Sequence, residues 1–268
     1  LKKFKFFHVI KHDITRPIDL RVDQIYNLAC PASPKYYQED PVKTIKTNVY
    51  GAINMLELAM SNDAKILQAS TSEVYGNPTV HPQPEGYHGS VNPIGPRACY
   101  DEGKRASETL FSDYHRQYGT NISIARIFNT YGPRMEVNDG RVISNFFVQA
   151  IKNIPITVYG NGDHSRSFCY IDDLVNALIK LMKSNLSEPV NLGNPNEVSI
   201  LELAKEIKEI SSSCSDIVFS DLPLDDPLKR KPDIEKAKKL LKWEPQIFRK
   251  DGLLKTYEYY QKLIEHSN

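Results

Sequence analysis

The chain has 268 residues, 40% of them apolar and 25% charged, with a net charge of +1. That balance describes a soluble globular protein with material for one large domain, or a large and a small one. Its dispersed Lys and Arg argue against a nucleic-acid or anionic-membrane surface, and no apolar run approaches the ~18 residues of a membrane span.

The start, "LKKFKFFHVIKHD", lacks the long apolar core and small-residue cleavage site of a signal peptide. Cys30, Cys99, Cys169 and Cys214 are widely separated and form no C-x-x-C, so neither a metal site nor a disulfide framework is indicated. A reducing compartment is the default.

In chain order, "FKFFHVIKHDI" reads as a strand and "DQIYNLAC" as a second, ending at the loop "PASP". From Pro41, the apolar positions Val42, Ile45, Val49, Ile53, Leu56 and Met60 recur at three or four, which predicts a helix. "AKILQAS" is a strand, residues 100–118 a helix closed by Gly119, and "NISIARIF" a strand. The alternation of strands and helices predicts an α/β fold, a doubly wound parallel sheet with helices on both faces. Ligands of such sheets bind beyond the carboxyl ends of the strands, where "ACPASPKYY", "STSEVYG" and "NTYGPR" fall.

Past residue 140 the texture changes. A helix over about 142–153, the strand "ITVYG", the turn "NGDHSRS", "FCYIDD", a helix over 173–183 and the strand "PVNLG" follow. Ser199 and Glu202 form a capping box, "DIVFSD" reads as a strand, Asp233 caps "IEKAKKLL", and a helix from about 252 ends the chain. The division expected is a nucleotide-binding domain over 1–140 and a smaller mixed α/β substrate-binding subdomain over 141–268. Some later segments are expected to pack back on the first domain.

Two clusters carry candidate chemistry. "ASTSEVYG" puts Thr71, Ser72 and Glu73 at the end of a predicted buried strand. These residues suit turn and cap bonding equally with hydroxyl binding and acid, base or electrostatic work. "NPIGPRACYDEGKRASE" holds Tyr100 and Lys104 at i and i+4, on one helix face. The pair is either a solvated surface pair or a phenol whose pKa a cation lowers, making it a base for hydride transfer. Arg166 and Arg230 are either surface charges or ligands for a diphosphate.

Y-x-x-x-K, preceded by an S/T-x-E strand end, resembles the extended short-chain dehydrogenase/reductase superfamily. "DQIYNLACPASPKYY", "STSEVYG", "NPIGPRACYDEGKR", "ARIFNTYGPRM", "TVYGNGDHSRSF" and "DDPLKRKPDI", in that order, resemble the UDP-glucuronate decarboxylases, or UDP-xylose synthases. The resemblance implies a Rossmann-like fold, NAD as cofactor, UDP-glucuronate as substrate and UDP-xylose as product through a 4-keto intermediate, with NAD recycled. It implies catalytic roles for Tyr100, Lys104, Thr71, Ser72, Glu73 and Arg230. It implies cofactor contacts from Asp13, Ile14, Leu28, Ala29, Thr47, Ala69, Thr130 and Arg141, with Tyr100 and Lys104. Tyr37, Asn129, Tyr159, Arg166 and Arg230 would meet the nucleotide-sugar. Related 4,6-dehydratases carry Asp at position 72; Ser72 is a poor acid, which fits decarboxylation over dehydration. A 4-epimerase would have no need of Glu73.

A homodimer is implied too. Met55, Leu58, Leu110, Phe111 and Tyr114 extend beyond one apolar stripe, and relatives pair through a four-helix face. The family begins with a strand, a Gly-rich turn and a helix that hold the pyrophosphate, whereas the first glycine here is Gly51. By the family's order residue 1 falls after the second strand, so an N-terminal β-α-β unit of at least about 30 residues is expected ahead of it. The location expected is cytoplasmic, or the Golgi lumen if an anchor precedes the chain.

Overall fold

The computed structural model describes residues 4–222 and 229–265. The chain order is β1 (Gln24–Asn27), α1 (Pro34–Glu39), α2 (Pro41–Ser61), β2 (Lys65–Thr71), a 3₁₀ turn (Ser72–Tyr75), α3 (Ala98–Tyr118), β3 (Ile122–Ile127) and β4 (Thr130–Tyr131). There follow α4 (Val142–Ile151), β5 (Ile156–Tyr159), β6 (Ser165–Ser167), β7 (Cys169–Tyr170), α5 (Ile171–Lys183), β8 (Pro189–Leu192) and β9 (Glu197–Ser199). The remainder is α6 (Ile200–Ile210), β10 (Ile217–Ser220), β11 (Lys229–Arg230), a π-helical turn (Ala237–Leu241) and α7 (Arg249–Glu265).

Four strands form one parallel sheet in the order β1-β2-β3-β8. Successive strand residues point to opposite faces, and the two faces have separate cores. Ile66, Ile122 and Ile124 pack under α2 and α3 with Ala52, Leu56 and Phe111. Leu67 and Ala125 pack on the other face with Leu174, Leu181, Val190 and Leu192, beneath α5. The doubly wound α/β arrangement is therefore as expected from the alternation. The strand "PVNLG" joins this sheet as β8, so a late segment completes the early one.

The second body is built on a core of Tyr131, Phe146, Phe147, Leu203, Leu253 and Tyr260, from β4, α4, α6 and α7. Its sheets are small: β5 with β10, parallel, and β6 between β11 and β9. The Ser199–Glu202 capping box forms in full at the start of α6. Asp233 accepts from the Glu235 N–H at 2.9 Å.

Two sequence readings need correction, the first strand and the dimer-face residues. Residues 4–14 form no strand, and Phe4, Phe6, Val9 and Ile10 are exposed, because among the described residues no neighbouring strand pairs with them or covers their apolar side chains. "PASP" is a loop through Ser33, as expected, and Pro34 opens α1, since it fixes the first helical φ and carries no N–H to leave unbonded. The helix predicted from Pro41 forms as α2, with its buried stripe through Thr44, Asn48, Ala52, Met55, Leu56 and Ala59, while Val42, Ile45 and Met60 are exposed. The small residues let α3 approach closely, which decides which side turns inward. Consequently Met55, Leu58 and Phe111, expected on a dimer face, belong to the interior of this chain.

Candidate functional site

The site begins where β2 stops. Thr71 ends the strand in extended conformation and its side chain accepts from the Glu73 N–H, starting the 3₁₀ turn. Gly76 ends the turn at φ +60, and a Cβ there would lie 1.9 Å from the Ser90 carbonyl oxygen, so only glycine fits. Behind the turn, Arg126 donates to both carboxylate oxygens of Glu108 and to the Tyr75 hydroxyl at 3.0 Å, and Tyr75 donates to Asn191 at 2.7 Å. Ser70 also bonds Glu108. This buried network fixes the turn that carries Ser72 and Glu73 at the carboxyl edge of the sheet.

The first turns of α3 face that turn. Arg97 is its N-cap residue, and Tyr100 and Lys104 are buried. The Lys104 ammonium donates to the Ala69 carbonyl at 2.8 Å and lies 5.8 Å from the centre of the Tyr100 ring. Thr71, at the end of the strand beside α3, is buried too. Tyr37, from α1, stacks on the Tyr100 ring. Tyr100 and Lys104 are thus a buried pair rather than a solvated one.

The phenol is nonetheless not lowered, contrary to the sequence expectation. Burial pushes Tyr100 up, the Cys30 thiol adds to this, and the Thr71 hydroxyl and the Arg141 charge oppose it only weakly. Burial likewise pushes Lys104 down, against Cys30 and Glu108. The ammonium is spent on the Ala69 carbonyl, so helical spacing alone does not aim it at the hydroxyl.

Glu73 is clamped. Arg97 donates to its Oε2 at 2.7 Å and Arg230 to its Oε1. Burial works to raise its carboxyl, but the Arg230 and then the Arg97 charge outweigh it and hold it at about 2. Glu73 is therefore an anion at neutral pH for as long as both arginines hold it. Arg230 also donates to the Gly76 carbonyl at 3.3 Å. It sits beside Arg166 in the parallel register of β11 and β6, both side chains buried. The stretch "DDPL" before Arg230 lies outside the described residues.

The remaining expected residues are more dispersed. Asp13 accepts from Thr15, and Ile14 packs on Gly51 and accepts from the Asn54 amide at 2.7 Å, so both flank α2. Leu28 and Ala29 follow β1 and are exposed. Thr47 donates to the Lys43 carbonyl within α2, and Thr130 to the Phe128 carbonyl. Asn129 supplies its carbonyl to Cys169, half-buried. Arg141 pairs with Asp139, and Tyr159 is exposed at the end of β5. Ser72 is fully enclosed.

Two residues of this cluster escaped the sequence reading, Arg97 and Asp101. Both lie in "GPRACYDEGKR", four apart and so on the helix face that turns toward Glu73. That spacing was the available signal.

With this geometry in view, the comparisons are specific. The family described as GDP-mannose 4,6 dehydratase matches residues 11–256. UDP-glucuronic acid decarboxylase 1 of Xenopus tropicalis is 56% identical over 97% of this chain, and UDP-glucuronic acid decarboxylase 3 of Arabidopsis thaliana is 56% identical over 92%. The chain belongs to the UDP-glucuronic acid decarboxylase family. It spans 62% of the length of the Xenopus relative and 72% of the Arabidopsis one. Among solved structures, a UDP-glucuronic acid 4-epimerase from Bacillus cereus, in complex with UDP-glucuronic acid and NAD, superposes with a TM-score of 0.80 at 27% identity. That match covers 90% of this chain and 76% of the epimerase. Membership in the decarboxylase family thus rests on sequence identity, and the wider family accounts for the fold.

Proposed function

We propose that the protein takes part in the NAD-dependent decarboxylation of UDP-glucuronate to UDP-xylose and carbon dioxide, through a 4-keto intermediate. The observation that carries this reading is the Glu73 carboxylate held between Arg97 and Arg230, beside a buried Tyr100–Thr71 pair. Sugar oxidation needs only the second feature; a reaction that must also recognise and expel a carboxylate has use for the first.

The residues present fit the nicotinamide end of a dinucleotide. Lys104 is a buried ammonium with donors beyond the one spent on Ala69, and Tyr100 is a buried phenol alongside it. Lys104, Tyr100, Ala69, Leu28, Ala29 and Thr47 would hold this cofactor, with Asp13 and Ile14 toward its adenine and Thr130 and Arg141 nearby. When bound, it supplies a hydride acceptor, a hydride donor for the final step and a positive charge beside the phenol.

Thr71 orients the C4 hydroxyl, and Tyr100 accepts its proton as C4 is oxidised. The new ketone makes the sugar's carboxylate a β-keto acid, so the electrons of the breaking C5–C6 bond pass into an enolate. Arg230 and Arg97 are the cations available to the carboxylate, and Glu73 stands where it must be displaced or approached. Ser72 offers only a hydroxyl, a poor acid for expelling water, so dehydration is disfavoured. Tyr37, Asn129, Tyr159 and Arg166 meet the nucleotide-sugar. The finer partner reading is a homodimer through α2 and α3, with Ile45 and Tyr50 of α2 exposed and Val49, Ile53, Leu110 and Tyr114 half-buried. No described helix is long and apolar enough to cross a membrane. The location proposed is the cytoplasm, or the Golgi lumen if an anchor precedes the chain.

The test is a substrate panel with added NAD. UDP-glucuronate should be consumed with release of carbon dioxide, without added reductant. UDP-glucose should be left unchanged. Consumption of UDP-glucose, with UDP-glucuronate inert, would overturn the reading.

A further inference from the structure

Decarboxylation of a carboxylate replaces a C–C bond by a C–H bond, so every turnover consumes one proton from water. Glu73 cannot store that proton near neutral pH while Arg230 and Arg97 hold it as an anion. A second carboxyl lies one helical turn past Arg97. Asp101 is 7% exposed, and its Oδ1 has no hydrogen-bond partner among the described residues. Tyr37 Oη and Arg230 Nε, buried in the same cluster, also have none among the described residues. Buried polar atoms are rarely left so, and these belong to residues linked by contacts: Arg230 and Arg97 both bond Glu73, Asp101 lies one turn past Arg97, and Tyr37 stacks on the neighbouring Tyr100.

The charged and titratable groups facing Asp101 come from four elements. They are Glu73 of the 3₁₀ turn, Arg97, Cys99 and Glu102 around the start of α3, Arg230 of β11 and Tyr37 of α1. Burial first, then the Glu73 charge, push its carboxyl up to about 7, against Arg97 and Arg230. Two carboxyls and two guanidiniums thus share one enclosure, and the less well-paired carboxyl is the one able to carry a proton.

Resting on the UDP-glucuronate reading, we propose that Asp101 is the proton store of this site, filled on substrate binding and emptied through Glu73 toward C5. The sugar's carboxylate adds a third anion to the enclosure. As it draws on the arginines, Glu73 loses part of what keeps it ionised, and the proton on Asp101 passes to it. The C5–C6 electron pair enters the enolate, carbon dioxide leaves, and the Glu73 O–H bond breaks as C5–H forms. Asp101 reprotonates Glu73, and water reprotonates Asp101. One proton enters for each carbon dioxide released, and this step changes no oxidation state beyond that of the bond exchanged. Asp101 is on this account a positioning residue acting through Glu73.

Titration calorimetry of the full chain, in buffers of different protonation enthalpy, reads the proton directly and needs no turnover. At pH 8, binding of UDP-glucuronate should take up about one proton, falling to a small fraction at pH 5.5 where Asp101 is already protonated. UDP-xylose, without the carboxylate, should take up none. Asp101→Asn should abolish the uptake and bind UDP-xylose within about threefold of the parent, an unchanged interaction on the affinity scale; Asp101→Glu should retain the uptake. If UDP-glucuronate binds with no uptake, or with the same uptake in Asp101→Asn, the proposal is overturned and the substrate reading stands. If UDP-glucuronate does not bind, both fail. Should Asp101→Asn not fold, the pH series of the parent decides: an uptake that does not rise between pH 5.5 and 8 overturns the proposal.

Discussion

The rings of Tyr37 and Tyr100 lie face to face, 5.0 Å between centroids and 7° from parallel. Tyr37 is held from behind, where its carbonyl accepts from Thr44 at 3.1 Å. The stack fixes the plane of the Tyr100 ring. Tyr100→Phe keeps the stack and removes the ionisable group. Turnover should fall by about 10²–10⁴-fold, the usual worth of a positioned base, with UDP-sugar affinity nearly unchanged. Kinetics with parallel calorimetry checks this; retention of a tenth or more of the activity removes Tyr100 from the base role.

The Tyr37 hydroxyl is buried without a hydrogen-bond partner among the described residues, a cost in the free protein. Tyr37→Phe removes that cost and should stabilise the chain by about 1 kcal/mol. If the hydroxyl is there for the sugar, the same change should weaken UDP-sugar binding. Thermal melts and calorimetry test the two halves. A variant that is both less stable and unaffected in binding would contradict the assignment.

Glu73 has a carboxyl held at about 2, below its ordinary 4.5. A depressed carboxylate stabilises the fold above its unfolded pKa and loses that contribution as pH falls through its folded pKa. The Glu73 contribution should therefore be present above about 4.5 and disappear toward 2. Glu73→Gln leaves two buried guanidiniums without their anion and should cost about 3–5 kcal/mol at pH 7, less at pH 3. Asp101 has the opposite sign, since its carboxyl is raised to about 7. Its favourable contribution is complete below about 3.8 and is lost as pH rises through 7. Asp101→Asn should raise the melting temperature at pH 8 and change it little at pH 4. Melting curves across this range check both signs.

A homodimer through α2 and α3 should run at twice the chain mass in light scattering at micromolar concentration. Replacing the exposed Ile45 and Tyr50 by Lys should give a monomer that keeps its fold by circular dichroism. A parent chain that is already monomeric rules the dimer out.

Much of the fold was legible because period and position agree. The strands "AKILQAS" and "NISIARIF" are apolar runs buried within the sheet, and Gly119 takes the left-handed conformation that ends α3 at φ +71. Met55, Leu58 and Phe111 were placed on a dimer face because these helices are apolar on more than one side, and only the packing of α2 on α3 decides which turns in. The segment 4–14 was misread because β-propensity needs a neighbouring strand. In the site, the residues that chemistry names directly, Tyr100, Lys104 and Glu73, were visible. Their ionisation was not: the sequence sets Lys104 four residues from Tyr100, but the Ala69 carbonyl that takes the ammonium comes from another element. Arg230 is 157 positions from Glu73, and Arg97 and Asp101 gain meaning only from that long-range pairing.

The account turns on the fate of C5 and C6 of the sugar. The protein, with NAD and UDP-glucuronate in deuterated water, should be followed by NMR. The predicted result is UDP-xylose carrying deuterium at C5, with one carbon dioxide per sugar and no accumulated NADH. UDP-galacturonate as the product, or a sugar that keeps its carboxylate in any form, would contradict it.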